Sequence, residues 1–297
     1  MPLQGLVVRH ATATVVGFGA GLTLGCVGWG GAQVIIPTLT SSYILGLSQI
    51  SATGVSLSSL SCGVIVGAAT FTNEGMSDVA CAAAIAIPSM VGARFGSTLA
   101  ARLHGEVHAL IFNGMSVLLL PTHFLVQRFR QQELEKRPSA ALVSNESSSD
   151  LESRLAVADT LKPRILMQHG TYGLASGVLS SLMGVGGLPI TMSYLTLASD
   201  LPHHLIQGTA MLSVAPAVVT SAISHATTGA TPLSIAAAVA AGAICGSTCG
   251  SSIAVSLSDE QLRRLYMGSL VLLGGRSFVG AIRNLRQITT RKGSIFK

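Results

Sequence analysis

The chain has 297 residues, of which 49% are hydrophobic and only 10% are charged, and its mean hydropathy is +0.60. Because soluble domains carry about 25% charged residues, this composition excludes a soluble globular protein and predicts an integral, multi-pass membrane protein in a lipid bilayer. The net charge of +6 comes from basic residues in a central polar stretch and near the C-terminal end. Such flanking charge is typical of loops near lipid headgroups, so we expect no nucleic acid partner.

The first predicted helix, about residues 6–27, carries Gly17, Gly21 and Gly25 at four-residue spacing. Glycines at this spacing leave a flat strip on which another helix backbone can approach closely. The same spacing recurs in two later helices, at Gly92 and Gly96 and at Gly246 and Gly250. We therefore expect these glycines to pack pairs of helices together.

A glycine-rich stretch, Gly28-Trp29-Gly30-Gly31, interrupts the apolar sequence before a second apolar run at about residues 32–47. Glycine breaks inside membrane helices free backbone N–H groups that need partners, and half-helices meeting at such a break direct those groups at one spot. Membrane transporters build anion sites in this way, without charged side chains. The alternative is a tight turn that only joins two helices.

Three further apolar runs complete the first half of the chain, at about residues 51–71, 79–101 and 107–126. The first of these runs carries Thr53, Ser56 and Ser59, which recur every three residues and therefore share one face of a helix. Hydroxyl groups on one face are expected to point toward protein or water and away from lipid.

The composition changes abruptly at residues 128–164, where charges of alternating sign are followed by a Ser-rich acidic segment. This pattern predicts a polar, solvent-exposed linker. It separates a first transmembrane repeat, residues 1–127, from a second one, residues 165–283, and a basic tail follows at residues 284–297.

The second half of the chain repeats the first at a nearly constant offset. When Gly246 is aligned on Gly92, an offset of 154 residues (246 minus 92), other pairs fall into register: Gly208 on Gly54, Ser213 on Ser59, Gly250 on Gly96 and Glu260 on Glu106. The second glycine stretch, residues 184–187, aligns on residues 28–31 at an offset of 156 (184 minus 28). One offset held over roughly sixty residues indicates an internal duplication.

Each half has five apolar segments, so the sequence predicts an all-α, polytopic helical membrane protein of two repeats. About five helices or half-helices in each repeat give eight to ten membrane segments. An odd number of segments per repeat would invert one half relative to the other. The distribution of basic residues does not decide the orientation of the chain in the membrane. The sequence also does not decide whether this membrane is the plasma membrane or that of an organelle.

The duplicated motif resembles the sulfite exporter TauE/SafE family of membrane permeases, also described as the toluene sulfonate uptake permeases. The first copy is Gly28-x-Gly30-Gly31 with Pro37 and then residues 52–56, and the second is Gly184-x-Gly186-Gly187 and then residues 207–210. The resemblance covers about residues 17–278. It implies secondary transport of small sulfur oxyanions or organosulfonates. Ala32 and Leu188 stand where a third glycine is usual in the family.

The candidate anion site combines the glycine stretches with polar side chains of both halves. Its residues are Gly28, Gly30, Gly31, Gln33, Thr53, Gly54, Ser56, Gly184, Gly186, Gly187, Gly208 and Thr209. Neutral donors suit a transported anion, because a cation at the bilayer centre costs at least about 3 kcal/mol to insert and would hold the anion too tightly. The alternative is that the hydroxyl groups only join helices.

We therefore expect a secondary transporter, a permease or exporter, that carries sulfite, thiosulfate or an organosulfonate by alternating access. The alternative is a non-transporting scaffold or assembly protein that retains the duplicated fold. A proton is a candidate coupling ion, because His123 and His225 could relay one, although such histidines also serve as hydrogen-bonded helix-end residues. The oligomeric state stays open, a homo-oligomer included.

Catalysis has little support in the sequence. The apolar segments hold no paired carboxylates and no His-rich cluster, and no lysine follows either glycine stretch. These observations argue against a hydrolase and against a phosphate-binding loop. We expect no enzyme activity, no metal and no cofactor.

Overall fold

The computed structural model describes residues 3–29, 31–41, 44–103, 105–115, 163–199 and 201–269, together with positions 117, 118, 125, 128, 271, 272, 275 and 282. This part of the chain is helical and contains no strand, which confirms the all-α prediction. Its main helices are α1 (Leu3–Val27), α2 (Gly31–Thr40), α3 (Gln49–Asn73), α4 (Val79–Arg102), α5 (Pro163–Met183), α6 (Leu188–Ala198), α7 (His203–Thr227) and α8 (Leu233–Ser256). Residues 105–115 and 259–269 are also helical. Most of the predicted linker and all of the predicted basic tail lie outside the described residues.

Five helices in the described part are long and apolar enough to cross a membrane. They are Val7–Val27, Gln49–Asn73, Val79–Arg102, His203–Thr227 and Leu233–Ser256. By contrast, α2 and α6 have only 10 and 11 residues, which is too short for a hydrocarbon layer about 30 Å thick. The chain is therefore an integral, multi-pass membrane protein in which short helices follow long ones.

Each glycine stretch separates a long helix from a short one, as predicted. α1 ends at Val27 and α2 begins at Gly31, while α5 ends at Met183 and α6 begins at Leu188. The second apolar run was expected to extend to about residue 47, but its helix ends at Thr40. The chain turns there, because the carbonyl oxygen of residue 41 accepts the N–H groups of residues 44–46 and closes the turn.

The two halves pack crosswise, so that most long helices lie against helices of the other half. α1 packs on α8, and α5 packs on α4. α3 and α7 pack on each other; α3 also packs on α8, and α7 also packs on α4. Exchanging the halves pairs α1 with α5, α3 with α7 and α4 with α8. This exchange leaves the main set of helix contacts unchanged, as a duplicated fold requires.

Small residues allow the crosswise pairs to approach at backbone distance. A Cβ atom added to Gly21 would overlap the backbone of α8, and one added to Gly246 would overlap the backbone of α1. In the equivalent pair, Gly96 of α4 lies against the carbonyl oxygen of Val178, and Gly177 of α5 lies against that of Ser89. The predicted role of the spaced glycines in helix packing is confirmed.

The equivalent helices α3 and α7 run antiparallel. Gly208, near the start of α7, lies against Met76 and Ser77, which follow the end of α3. Gly54, near the start of α3, lies against Thr231, which follows the end of α7. Opposite directions of equivalent helices are what an inverted repeat requires; the inversion across the bilayer stays a prediction.

Candidate functional site

The two glycine stretches meet near the middle of the α3–α7 pair. We call residues 28–31 the first joint and residues 184–187 the second joint. A Cβ atom added to Gly186 would lie 3.4 Å from Val218 Cγ2 and 3.8 Å from Leu60 Cδ1, while one added to Gly31 would lie 2.5 Å from Leu60 Cδ2. Both joints therefore contact Leu60, on the inner face of α3.

The backbone of both joints needs glycine. The φ angle is +72° at Gly28, and it is +73°, +80° and +74° at Gly184, Gly186 and Gly187. Other L-residues enter this left-handed region only at a cost of roughly 1–2 kcal/mol. Glycine at these positions therefore lets the chain break its helices without backbone strain.

The second joint is held by the first half of the molecule. A Cβ atom added to Gly184 would lie 2.9 Å from Thr53 Cγ2 of α3 and 3.1 Å from Ile36 Cδ1 of α2. The Ser56 hydroxyl donates a hydrogen bond of 2.9 Å to the Gly184 carbonyl oxygen. Thr53 and Ser56, both fully buried, thus lie beside this joint as predicted from their shared helix face.

The short helix α6 begins at the second joint without a capping side chain. Its N-cap residue is Gly187, and no side chain bonds to the N–H groups of its first turn. Pro189 in that turn lacks an N–H group. The remaining N–H groups and the positive end of the helix dipole are directed toward the joint.

Two buried hydroxyl groups without a partner lie at the two ends of the second joint. Thr53, whose Cγ2 lies beside Gly184, and Ser180 are both buried, and their hydroxyl oxygens make no hydrogen bond. Ser180 Cβ would lie 3.2 Å from a Cβ atom added to Gly187. An unpaired buried hydroxyl costs about 1–3 kcal/mol, so these groups are suited to a bound molecule that accepts hydrogen bonds.

The first joint presents an acceptor. A Cβ atom added to Gly28 would lie 2.8 Å from Met192 Sδ of α6 and 3.2 Å from Gln207 Cγ of α7. Gln207 Nε2 donates to the Gly25 carbonyl oxygen at 2.9 Å, so its Oε1 is the atom left buried without a partner. The predicted residue Gln33 is buried in the first turn of α2, and Gly30 lies outside the described residues.

Three predicted site residues, Gly54, Gly208 and Thr209, lie near the starts of α3 and α7 and face loops of the opposite half. Gly54 and Gly208 receive those loops. Thr209 Oγ1 accepts a hydrogen bond of 2.9 Å from the Asp78 backbone N–H. Their own contacts are those of packing and loop attachment, although the neighbouring residues Thr53 and Gln207 lie beside Gly184 and Gly28.

Sequence reasoning missed Gln207 and Ser180. Gln207 is equivalent to Thr53 at the offset of 154 residues (207 minus 53), so the repeat itself was a signal for it. Ser180 is equivalent to Leu24 at the offset of 156 (180 minus 24). Because leucine is apolar, the comparison of the two halves did not indicate a polar site residue at this position.

The surroundings of the joints are polar but uncharged. Among the described residues, no buried side chain is a carboxylate, a lysine or an arginine, and Arg94 is exposed. No group of three or more His, Cys, Asp or Glu side chains in this part of the chain could hold a metal ion. His225 Nε2 lies 3.3 Å from the Ser181 carbonyl oxygen, as a helix-end partner would, and His123 lies outside the described residues.

This architecture defines a class: a multi-pass helical membrane protein whose broken helices meet at neutral hydrogen-bonding groups, as in membrane permeases. The family model of the sulfite exporter TauE/SafE matches residues 13–277, and the chain belongs to this family. It is similar to a protein of Bacillus subtilis (strain 168) described as probable membrane transporter protein YdhB. The two are 24% identical over 215 residues, which cover 71% of this chain and 76% of the relative. No solved structure matches the chain.

Family membership confirms the resemblance that the duplicated glycine motif indicates. It also confirms the interpretation of the chain as a membrane protein of the permease class.

Proposed function

We propose that this protein is a secondary transporter that carries a small sulfur oxyanion, such as sulfite or thiosulfate, or an organosulfonate by alternating access. The observation that supports the proposal is the second joint. There, the uncapped N-terminus of α6 follows a joint that Thr53 and Ser180 contact, and the buried hydroxyl groups of both residues are unpartnered. All of these groups donate hydrogen bonds, and a deprotonated oxyanion only accepts them.

The uncharged surroundings favour transport over permanent binding. Backbone N–H groups and hydroxyls stabilise an anion through several modest hydrogen bonds, each contributing about 0.5–1.5 kcal/mol. A buried arginine would form stronger charge-assisted bonds and slow release. The family name supplies sulfite as the first substrate to test.

The crosswise packing suits alternating access. Both joints contact Leu60 near the centre of the antiparallel α3–α7 pair. If the halves rock about this centre, the second joint opens first toward one side of the membrane and then toward the other.

The test is uptake of labelled sulfite, thiosulfate and a sulfonate by proteoliposomes. Gly186→Ala is compared with Gly229→Ala, because both residues have a left-handed backbone, with φ of +80° and +72°. An added Cβ atom meets nothing closer than 3.4 Å at Gly186 and nothing within 4 Å at Gly229. The two variants therefore carry similar backbone strain, but only Gly186 lies in a joint.

We expect Gly186→Ala to lose at least about tenfold in flux, equivalent to about 1.4 kcal/mol, and Gly229→Ala to transport like the unmodified protein. Equal flux in the two variants would place the pathway elsewhere. Absence of flux for every anion in the unmodified protein would favour the scaffold alternative.

A further inference from the structure

A second polar cluster lies where α4, α5 and α6 meet. His169 of α5 has both ring nitrogens in contact: Nδ1 lies 2.7 Å from the Tyr194 hydroxyl of α6, and Nε2 lies 3.8 Å from Cys81 Sγ of α4. His169 and Cys81 are buried, with 6% and 5% of their surface exposed. The cluster has no counterpart in the other half, where the equivalent positions are Ala13 and Ile235 (169 minus 156, and 81 plus 154).

The His169–Tyr194 hydrogen bond can reverse its direction. In neutral histidine one ring nitrogen donates and the other accepts. In the tautomer that carries its proton on Nε2, the Tyr194 hydroxyl donates to Nδ1 while Nε2–H faces the sulfur, a weak acceptor. When a proton binds at Nδ1, that nitrogen donates to the Tyr194 oxygen and the tyrosine O–H loses its acceptor. Histidine is the side chain that changes charge between pH 5 and 8 without special surroundings.

Three titratable groups interact with His169, and a fourth, Tyr172, stacks on one of them. Asp78 and Cys81 come from α4 and its N-cap, Tyr172 comes from α5, and Tyr194 comes from α6. The Asp78 charge acts on His169, and its carboxylate caps α4 by accepting the Cys81 N–H at 3.0 Å. The contact of α7 with this cluster is the hydrogen bond that Thr209 Oγ1 accepts from the Asp78 backbone N–H, and threonine does not titrate.

The same cluster fastens the helix that carries the second joint. Tyr194 stacks on Tyr172 with ring centres 3.9 Å apart, and the Tyr172 hydroxyl donates to the Ile190 carbonyl oxygen at 3.1 Å. Tyr194 follows Gly187 by seven residues, about 10 Å along α6. Cys81 belongs to the first half of the chain, so the cluster also bridges the two halves.

We infer that His169 is the proton-binding site of the transporter: a proton at Nδ1 reverses the bond to Tyr194, changes how α6 is held, and so couples proton binding to the anion at the second joint. This inference rests on the proposed transport function. It assigns the coupling ion to a cluster distinct from the joints and from His225.

Two flux assays separate the inference from the function on which it rests. Exchange of labelled sulfite at equal pH on both sides measures anion transport alone, whereas accumulation driven by a pH gradient measures coupling. We expect His169→Gln to keep exchange within about twofold and to lose gradient-driven accumulation at least about tenfold. His204→Gln, a partly exposed histidine paired with Asp259, is the control and keeps both activities.

Accumulation by His169→Gln at the level of the unmodified protein would overturn the inference. If no anion exchanges even in the unmodified protein, the proposed function fails, and proton binding is then judged by ¹⁵N-histidine NMR on the full chain. The signal that Tyr194→Phe displaces belongs to His169, and we expect it to change as the pH is lowered and a proton binds. A histidine spectrum unchanged by Tyr194→Phe, or a displaced signal that stays constant down to the lowest pH at which the protein remains folded, contradicts the assignment.

Discussion

Thr53 and Gln207 occupy equivalent positions in the two halves, and each leaves a buried polar atom unpartnered beside a joint glycine. Their chemistry differs. The Thr53 hydroxyl can donate a hydrogen bond, whereas the remaining Gln207 atom, Oε1, only accepts. The donor at Thr53 is the one that suits a deprotonated anion, so the proposed anion site belongs to the second joint and not to the first.

The Thr53 hydroxyl provides a prediction that separates binding from folding. Thr53→Ala removes a buried hydroxyl that has no partner in the folded protein, together with the buried Cγ2 methyl, so the melting temperature should fall by no more than the loss of one methyl, about 1 kcal/mol, accounts for. If the hydroxyl binds the anion, the same change should raise the half-saturating sulfite concentration about twofold to tenfold, on the scale of one neutral hydrogen bond.

The control for Thr53→Ala is Ser59→Ala. Ser59 is equally buried on the same face of α3, but its hydroxyl already donates to carbonyl oxygens of its own helix. Its removal should leave the half-saturating concentration unchanged. Equal effects of the two substitutions, or a clear loss of stability in Thr53→Ala, would assign Thr53 to helix packing.

At the level of helices, the apolar runs of the first half were sufficient to predict the boundaries of α1, α3 and α4 to within about three residues. α3 begins after Ser48 and α4 after Asp78, and both residues bond to an N–H group of the following first turn. The end of α2 was missed, because the apolar sequence continues beyond the turn closed by the carbonyl oxygen of Ser41. His203 begins α7 and is buried against Tyr266.

The glycine-lined helix pairs provide a second prediction. In both pairs the glycine faces backbone of the partner helix, so a leucine cannot fit unless the helices separate. We expect Gly96→Leu and Gly250→Leu to lower the yield of monodisperse, detergent-solubilised protein strongly. Gly19→Leu is the control, because an added Cβ atom at Gly19 meets nothing within 4 Å. Normal yield of Gly96→Leu and Gly250→Leu would show that the helices can separate without loss of the fold.

For the whole molecule, the near-constant offset between the two halves was visible in the sequence, but the crosswise packing was not. Spaced glycines identify which face of a helix is flat, and they do not identify the helix that it meets. For the same reason Gly54, Gly208 and Thr209 were assigned to the joints. They share a helix with Thr53 or Gln207, yet they face loops of the opposite half.

The antiparallel α3–α7 pair provides the last prediction, which concerns the arrangement of the two halves across the membrane. Each helix has 25 residues, about 37 Å in length, which exceeds the hydrocarbon thickness of about 30 Å. Asn73 ends α3 and Thr227 ends α7, and both residues are exposed and equivalent at the offset of 154 (227 minus 73).

Because each helix ends beside the start of the other, Asn73 and Thr227 should face opposite sides of the bilayer. We expect Asn73→Cys and Thr227→Cys, each introduced after replacement of the five native cysteines, to react with a membrane-impermeant maleimide from opposite sides. Right-side-out vesicles should label one variant, and inside-out vesicles the other. Permeabilised vesicles, in which both variants should react, are the control for reactivity. Labelling of both from one side would contradict the inverted repeat and, with it, the rocking of two opposed halves about the joints.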